Sequence, residues 1–162
     1  GYSGRVLDFE WTYLGKREVL SVVNARSPVQ HMFGPSSRVP ADRWQIRSCH
    51  AIELKPKFAG HPYSSKIIFF DVETMNAPVA IAINRDGQVW RIFSALYYLP
   101  ARVADGVEAF ETSVPRWTAT IATDVLKDTS TVSISHAGTI NPTMTRRAIE
   151  HQFNVSTLTS GR

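Results

Sequence analysis

Cysteine is nearly absent: one residue, Cys49, stands in a chain of 162. No intrachain disulfide can form, and composition gives no sign of an oxidising compartment. Long apolar runs are missing too; none approaches the ~20 residues of a membrane-spanning helix. Of the histidines His31, His50, His61, His136 and His151, none lies at ligand spacing with another His, Cys or carboxylate on one element, so no metal is expected. Cys49 and His50 are adjacent on a strand and point to opposite faces, which keeps them out of one site. No G-x-S-x-G, G-x-G-x-x-G or P-loop occurs, and Cys49 has no helix N-terminus to lower its pKa. The net charge of +4 is carried by scattered Lys and Arg, which excludes the basic tract of a nucleic-acid binder. The first residues, Gly1-Tyr2-Ser3-Gly4, show no initiator Met, basic n-region or apolar h-region, and a processed or truncated piece of something longer is expected.

What is there is a globular composition, 43% hydrophobic and 20% charged, of one-domain length. The chain is organised around Lys66 to Tyr98, where three β-type runs are split by two turn signals. Lys66 to Phe70 is apolar after its first residue. Asp71 to Asn76 breaks the run. Pro78 to Ile83 alternates Val79, Ile81, Ile83 against Ala80, Ala82. Asn84-Arg85-Asp86-Gly87 is a hairpin turn, with Gly87 free to take positive φ. Val89 to Tyr98 carries large apolar groups on both faces, so both sides of the sheet are expected to be covered or one to hold a ligand.

Elsewhere, Val6 to Tyr13 and Glu18 to Val23 are predicted to form a hairpin about Leu14-Gly15-Lys16-Arg17. Asn24 to Ala41, with Pro28, Gly34, Pro35 and Pro40, is the longest irregular segment, a solvated connection or a lid. Arg43 to Lys55 is a long strand. Arg116 to Asp124 and Thr129 to Ser135 pair about Lys127-Asp128. Asn141-Pro142 is a helix start, with Asn as N-cap and Pro at the first helical position; the helix is expected to end near Phe153. Residues 1–153 are expected to form one β-rich domain and residues 154–162 a polar tail.

Catalytic groups are hard to assemble from this pattern. Asp71 and Glu73 are expected to be solvated turn residues. His50, on an apolar face, reads as a hydrogen-bonded core histidine. Trp11, Trp44, Trp90 and Trp117 lie on four different predicted strands. The pattern leaves two readings open: an ordinary core, or a curved sheet whose concave side holds an apolar ligand.

Several motifs come in one order: Trp11-Thr12-Tyr13-Leu14-Gly15-Lys16, His61-Pro62-Tyr63, Asp71 with Thr74, Gly87 followed by Trp90-Arg91, and Pro142 followed by Arg146-Arg147. That order resembles the C-terminal part of an uncharacterised Gram-negative envelope family, a domain of unknown function with a lipoprotein-sorting-like fold. Asn84 stands where the hairpin motif usually has Asp. The resemblance implies a mainly β, antiparallel open half-barrel like the lipoprotein-localisation carriers, with a short C-terminal helix. It implies periplasmic location, a signal peptide upstream, and this chain as the later part of a longer domain, with a sheet edge near Val6 to Tyr13 open to other protein chains. It also implies binding of a lipid, acyl chain or lipoprotein, alongside an envelope transporter, and brings no catalytic residue. The expectation is a non-enzymatic carrier without cofactor; the alternative is a structural subunit whose apolar faces pack on other chains. The cavity is expected on the face bearing Trp44, Ile46, Ile52, Ile81, Ile83, Trp90, Ile92 and Leu96, chosen because these positions are in phase within their strands, with Ser48, His50 and Ser94 giving orienting hydrogen bonds.

Overall fold

A computed structural model describes residues 5–26, 32–34, 38–99 and 115–134. Among them, seven strands form one antiparallel sheet in the order β1-β4-β5-β6-β7-β8-β9. The strands are β1 Phe9–Val22, β4 Trp44–Pro56, β5 Ser65–Asp71, β6 Val79–Ile83, β7 Val89–Tyr98, β8 Arg116–Asp124 and β9 Thr129–Ile134. Two short strands, β2 Met32–Phe33 and β3 Val39–Pro40, pair with each other inside the predicted irregular segment. The mainly β, antiparallel, open architecture is the one expected. The expected helix ending near Phe153 and the tail at 154–162 lie outside the described residues.

The predicted N-terminal hairpin is not formed. Leu14-Gly15 does not reverse the chain; β1 runs straight through it and pairs along its length with β4. Tyr13 faces Ile52 and Lys16 faces His50, so β1 carries one extra residue there. Gly15 has φ 86°, the left-handed conformation that glycine takes without a Cβ clash, and it absorbs the extra residue as a bulge. The same glycine that reads as a turn therefore bends a long strand. The first residues of the predicted strand, Val6–Asp8, are a single 3₁₀ turn. The Trp11 indole closes that turn by donating to the Val6 carbonyl at 3.0 Å.

The central meander matches its reading closely. Asn84 organises the hairpin: its Oδ1 accepts the Asp86 and Gln88 N–H groups at 3.0 and 2.8 Å, with Gly87 at φ 78°. An Asp-type acceptor would serve equally, so the Asn at this position changes little.

The sheet is strongly bent. Three strands separate β1 from β7 in the order. Yet Ala25, just past β1, donates to the Tyr97 carbonyl at 2.8 Å, and the Leu99 N–H donates to Asn24 Oδ1 at 2.9 Å. Ala25 packs with Leu96, Ala119 and Ile121. The end of β1 thus folds over one face at the β7–β8 side and makes that face concave.

Candidate functional site

Register assigns the faces, because residues paired directly across strands point the same way. On the first face, Trp11, Leu54 and Lys66 align, as do Tyr13, Ile52, Ile68, Ala80 and Phe93. On the second, concave face lie Val19 with Arg47, Cys49 with Asp71, Ala51 with Phe69 and Val79, and Ile67 with Ile81 and Ile92.

The first face is filled from within. Phe9, Leu54, Ile68 and Ala80 are buried together, with Ile52, Phe70 and Phe93 against them. Segment 57–64 closes one end with rings: His61 lies edge-on to Phe9 at 5.4 Å, and Tyr63 contacts Trp90 at 5.4 Å. The Lys66 ammonium sits 4.5 Å over the Phe93 ring, and burial pushes its pKa down. Between Phe9, Leu54, His61, Tyr63 and Lys66 only ≈ 20 Å³ stays open, below the space one small ligand needs.

The second face is different. A groove of ≈ 450 Å³ lies over Val19, Ala51, Ile67, Phe69, Val79 and Ile81, with Leu14, Arg17, Glu18 and Leu20 at its β1 side. Five of those six face residues are apolar side chains left half-buried rather than sealed. Further along the same face is a cleft of ≈ 540 Å³. It is lined by Ser21, Val22 and Asn24 after the bulge, Gln45 and Arg47 on β4, the Asp71–Asn76 turn, and Tyr97, Tyr98 and Leu99.

An ion pair organises the cleft wall. Arg47 Nε donates to Asp71 Oδ2 at 2.6 Å and Nη2 to Oδ1 at 3.1 Å, a forked arrangement. Nη2 also reaches Glu73 Oε2 at 2.7 Å. Asp71 Oδ1 accepts the Glu73 and Thr74 N–H groups at 3.0 and 2.9 Å and the Thr74 hydroxyl at 3.2 Å. Asp71 is only 4% exposed. The Arg47 hydrogen bond first, then the backbone donors, pull its pKa down to about 2 against the cost of burial. The expectation that Asp71 is solvated is thus overturned: the turn folds its carboxylate inward because Arg47, two strand positions from Cys49 on the same face, is there to meet it. The signal was present in the Asp-x-x-Thr spacing, which is that of a carboxylate accepting N–H groups two and three residues on. Its distant partner was not visible in sequence. Glu73 does stay exposed.

The eight residues expected to share a cavity are split between faces. Trp44, Ile46 and Ile52 are on the first face, where Ile46 is 63% exposed and Ile52 packs on the core. Ile81, Ile83, Ile92 and Leu96 are on the second. Of these, Ile81 lines the groove, while Leu96 is sealed in the core under Ala25. Trp90 sits at a bulge opposite Ala82 and Ile83 and turns towards the first-face rings; its indole donates to Asp124 at 2.9 Å. The choice failed at the step from β4 to β6: Ala51 aligns with Phe69 and Val79, so odd-numbered positions share the second face from β4 to β6, whereas the choice joined even positions of β4 to odd ones of β6. Alternation within a strand does not fix which positions of the next strand it meets. Val19, Ala51, Ile67, Phe69 and Val79 were missed for the same reason. Of the orienting residues, His50 has its Nδ1 3.0 Å from the Tyr13 hydroxyl, the partnered histidine expected, on the first face. Ser48 also lies on that face, and Ser94 on the second. Cys49 is fully buried on the second face, and burial pushes its thiol pKa up.

No group of three or more His, Cys, Asp or Glu that could hold a metal occurs among the described residues. No described helix is long and apolar enough to cross a membrane.

Comparison with known proteins gives one family match: residues 1–159 fit the family described as "Protein of unknown function (DUF1329)". No curated protein matches. A solved structure, described as a putative outer membrane lipoprotein-sorting protein domain from Vibrio parahaemolyticus, is similar at 11% identity with a TM-score of 0.49. The match covers 80% of this chain and 41% of that one, so this chain spans less than half of that domain's length.

Proposed function

We propose that this chain, which belongs to the DUF1329 family of proteins of unknown function, is a non-enzymatic binding protein for a hydrophobic cargo in the Gram-negative envelope. The observation that carries this reading is the groove over Val19, Ala51, Ile67, Phe69, Val79 and Ile81, a concave apolar surface with no titratable group among those six residues. An acyl chain or similar ligand laid there gains roughly 25 cal/mol for each Å² of apolar surface removed from water. Such binding needs no catalytic constellation. Periplasmic location, and service to an envelope transporter, are supported by the motif order that resembles a Gram-negative envelope family.

The second reading is a structural subunit. Trp11, Tyr13, Leu20 and Ile46 are exposed on β1 and β4, at the end of the strand order, and favour contact with another chain. Native mass spectrometry with lipid extraction, on protein purified from its own source, separates the two. A co-purified lipid that is lost in Ile81→Asp and kept in Ile46→Asp supports the carrier. Absence of lipid, with a mass that rises with concentration and falls in Ile46→Asp, supports the subunit and rejects the carrier.

A further inference from the structure

Resting on the carrier reading, we infer that the cleft beside Arg47 receives the carboxylate of a long-chain acid whose hydrocarbon tail lies in the groove, and that Glu73 is the counter-ion it displaces. Groove and cleft are consecutive on one face. Three strands pass from one to the other: Val19 to Ser21 on β1, Ala51 through Cys49 to Arg47 on β4, and Phe69 to Asp71 on β5. Same-face neighbours on a strand are roughly 7 Å apart, so a single alkyl chain spans the junction.

The polar end is under-occupied. Arginine has five N–H donors in a planar fork. Asp71 and Glu73 take bonds from Nε and Nη2, and Nη1 has no partner among the described residues. Ser21 is 3% exposed, lines the same cleft, and its hydroxyl likewise has no partner there. A buried polar group without a partner costs free energy and calls for an explanation. Ser21 and Arg47 are diagonal neighbours on paired strands, since Ser21 faces Gln45 and Val19 faces Arg47. A carboxylate above Arg47 can take both an Nη1 bond and the Ser21 hydroxyl.

Charge chemistry selects the head group. Asp71 is saturated and inward, and holds the guanidinium in place. Glu73, whose side chain is 74% exposed, already shows that a carboxylate is accepted at Nη2, and it can leave for water at small cost. A ligand carboxylate that bridges Nη1 and Nη2 takes over the Nη2 hydrogen bond that Glu73 gives up. The tyrosines Tyr97 and Tyr98 wall the far side of the cleft; burial raises the pKa of Tyr97 and keeps it neutral beside an anion.

The test compares hexadecanoate with hexadecanol, by calorimetry at neutral pH on the full chain, below their aggregation limits. Wild type should bind the acid at least fivefold tighter than the alcohol. Glu73→Gln, a surface change that leaves the fold intact, should tighten the acid several-fold and leave the alcohol unchanged. Ser21→Ala should weaken the acid several-fold, again without effect on the alcohol, and should not lower thermal stability. Equal affinity for acid and alcohol, or an acid affinity indifferent to Glu73→Gln, overturns the inference while the carrier reading stands. Binding of acetate as tight as that of hexadecanoate shows a site for a free anion, and also overturns it. Binding of neither long-chain compound removes the carrier reading itself.

Discussion

The two faces of one sheet are built on different principles. The first face is sealed at its centre by its own side chains, with Leu54, Ile68 and Ala80 buried and a fold-back of rings from segment 57–64, while Tyr13, Leu20 and Ile46 on β1 and β4 stay exposed. The second is held by a forked ion pair and by the end of β1 crossing to β7, and leaves its central apolar residues half-buried. The difference teaches where stability and binding reside. Apolar surface that is filled contributes to folding; apolar surface left half-open is available to something else, and the order of that face has to come from polar contacts.

The comparison is sharpened most by removing the ion pair. Asp71→Ala leaves the Arg47 guanidinium, on a side chain only 18% exposed, without its forked partner. The expected loss is about 3–5 kcal/mol, by denaturant melts, far more than an exposed pair such as Arg5–Asp8 gives. A loss under about 1 kcal/mol would mean that the second face does not depend on this pair.

Truncation on either face gives the next effect. Leu54→Ala should cost about 3 kcal/mol, because the cavity it leaves lies among Phe9, Ile68 and Ala80. Ile81→Ala should cost about 1 kcal/mol, since part of that side chain already meets the groove. Equal costs would show that the two faces are packed alike.

An intermediate effect is in acid. The Arg47 hydrogen bonds hold the Asp71 carboxyl down at about 2, below the usual carboxylate range. A depressed carboxylate pKa stabilises the fold above the unfolded value and loses that contribution as pH falls through the folded one. Between pH 5 and pH 2 this residue alone should withdraw about 2 kcal/mol. The slope of stability against pH in that window should flatten in Asp71→Asn. An unchanged slope would show that other carboxylates govern acid unfolding.

Much of the fold was legible. β5, β6, β7, β8 and β9 were each read within a residue or two, because period-two alternation and Gly or Asn turn chemistry act over short distances. The hairpin at Asn84–Gly87 is local in this sense. Gly15 was the exception: positive φ serves a turn and a bulge equally, and the choice depends on whether β4 is present to pair on both sides of it. The candidate site was less legible. Ile81 was named and lines the groove, but Trp44, Ile46 and Ile52 point the other way, and Arg47 with Ser21 was not singled out.

By itself the sequence determined the strands from β4 to β9, the Asn84–Gly87 hairpin and the apolar character of both faces. All of these follow from neighbours within a few residues. Only the tertiary structure decided which positions share a face, because the register of each pairing sets the phase from strand to strand, and bulges on β1, between β6 and β7 and between β7 and β8 shift it again. It alone decided that Arg47 meets Asp71, a pair that register creates across β4 and β5. And it alone closed the centre of one face and left the centre of the other open, since the bend that brings Ala25 to Tyr97 is a property of the whole sheet and of no single segment.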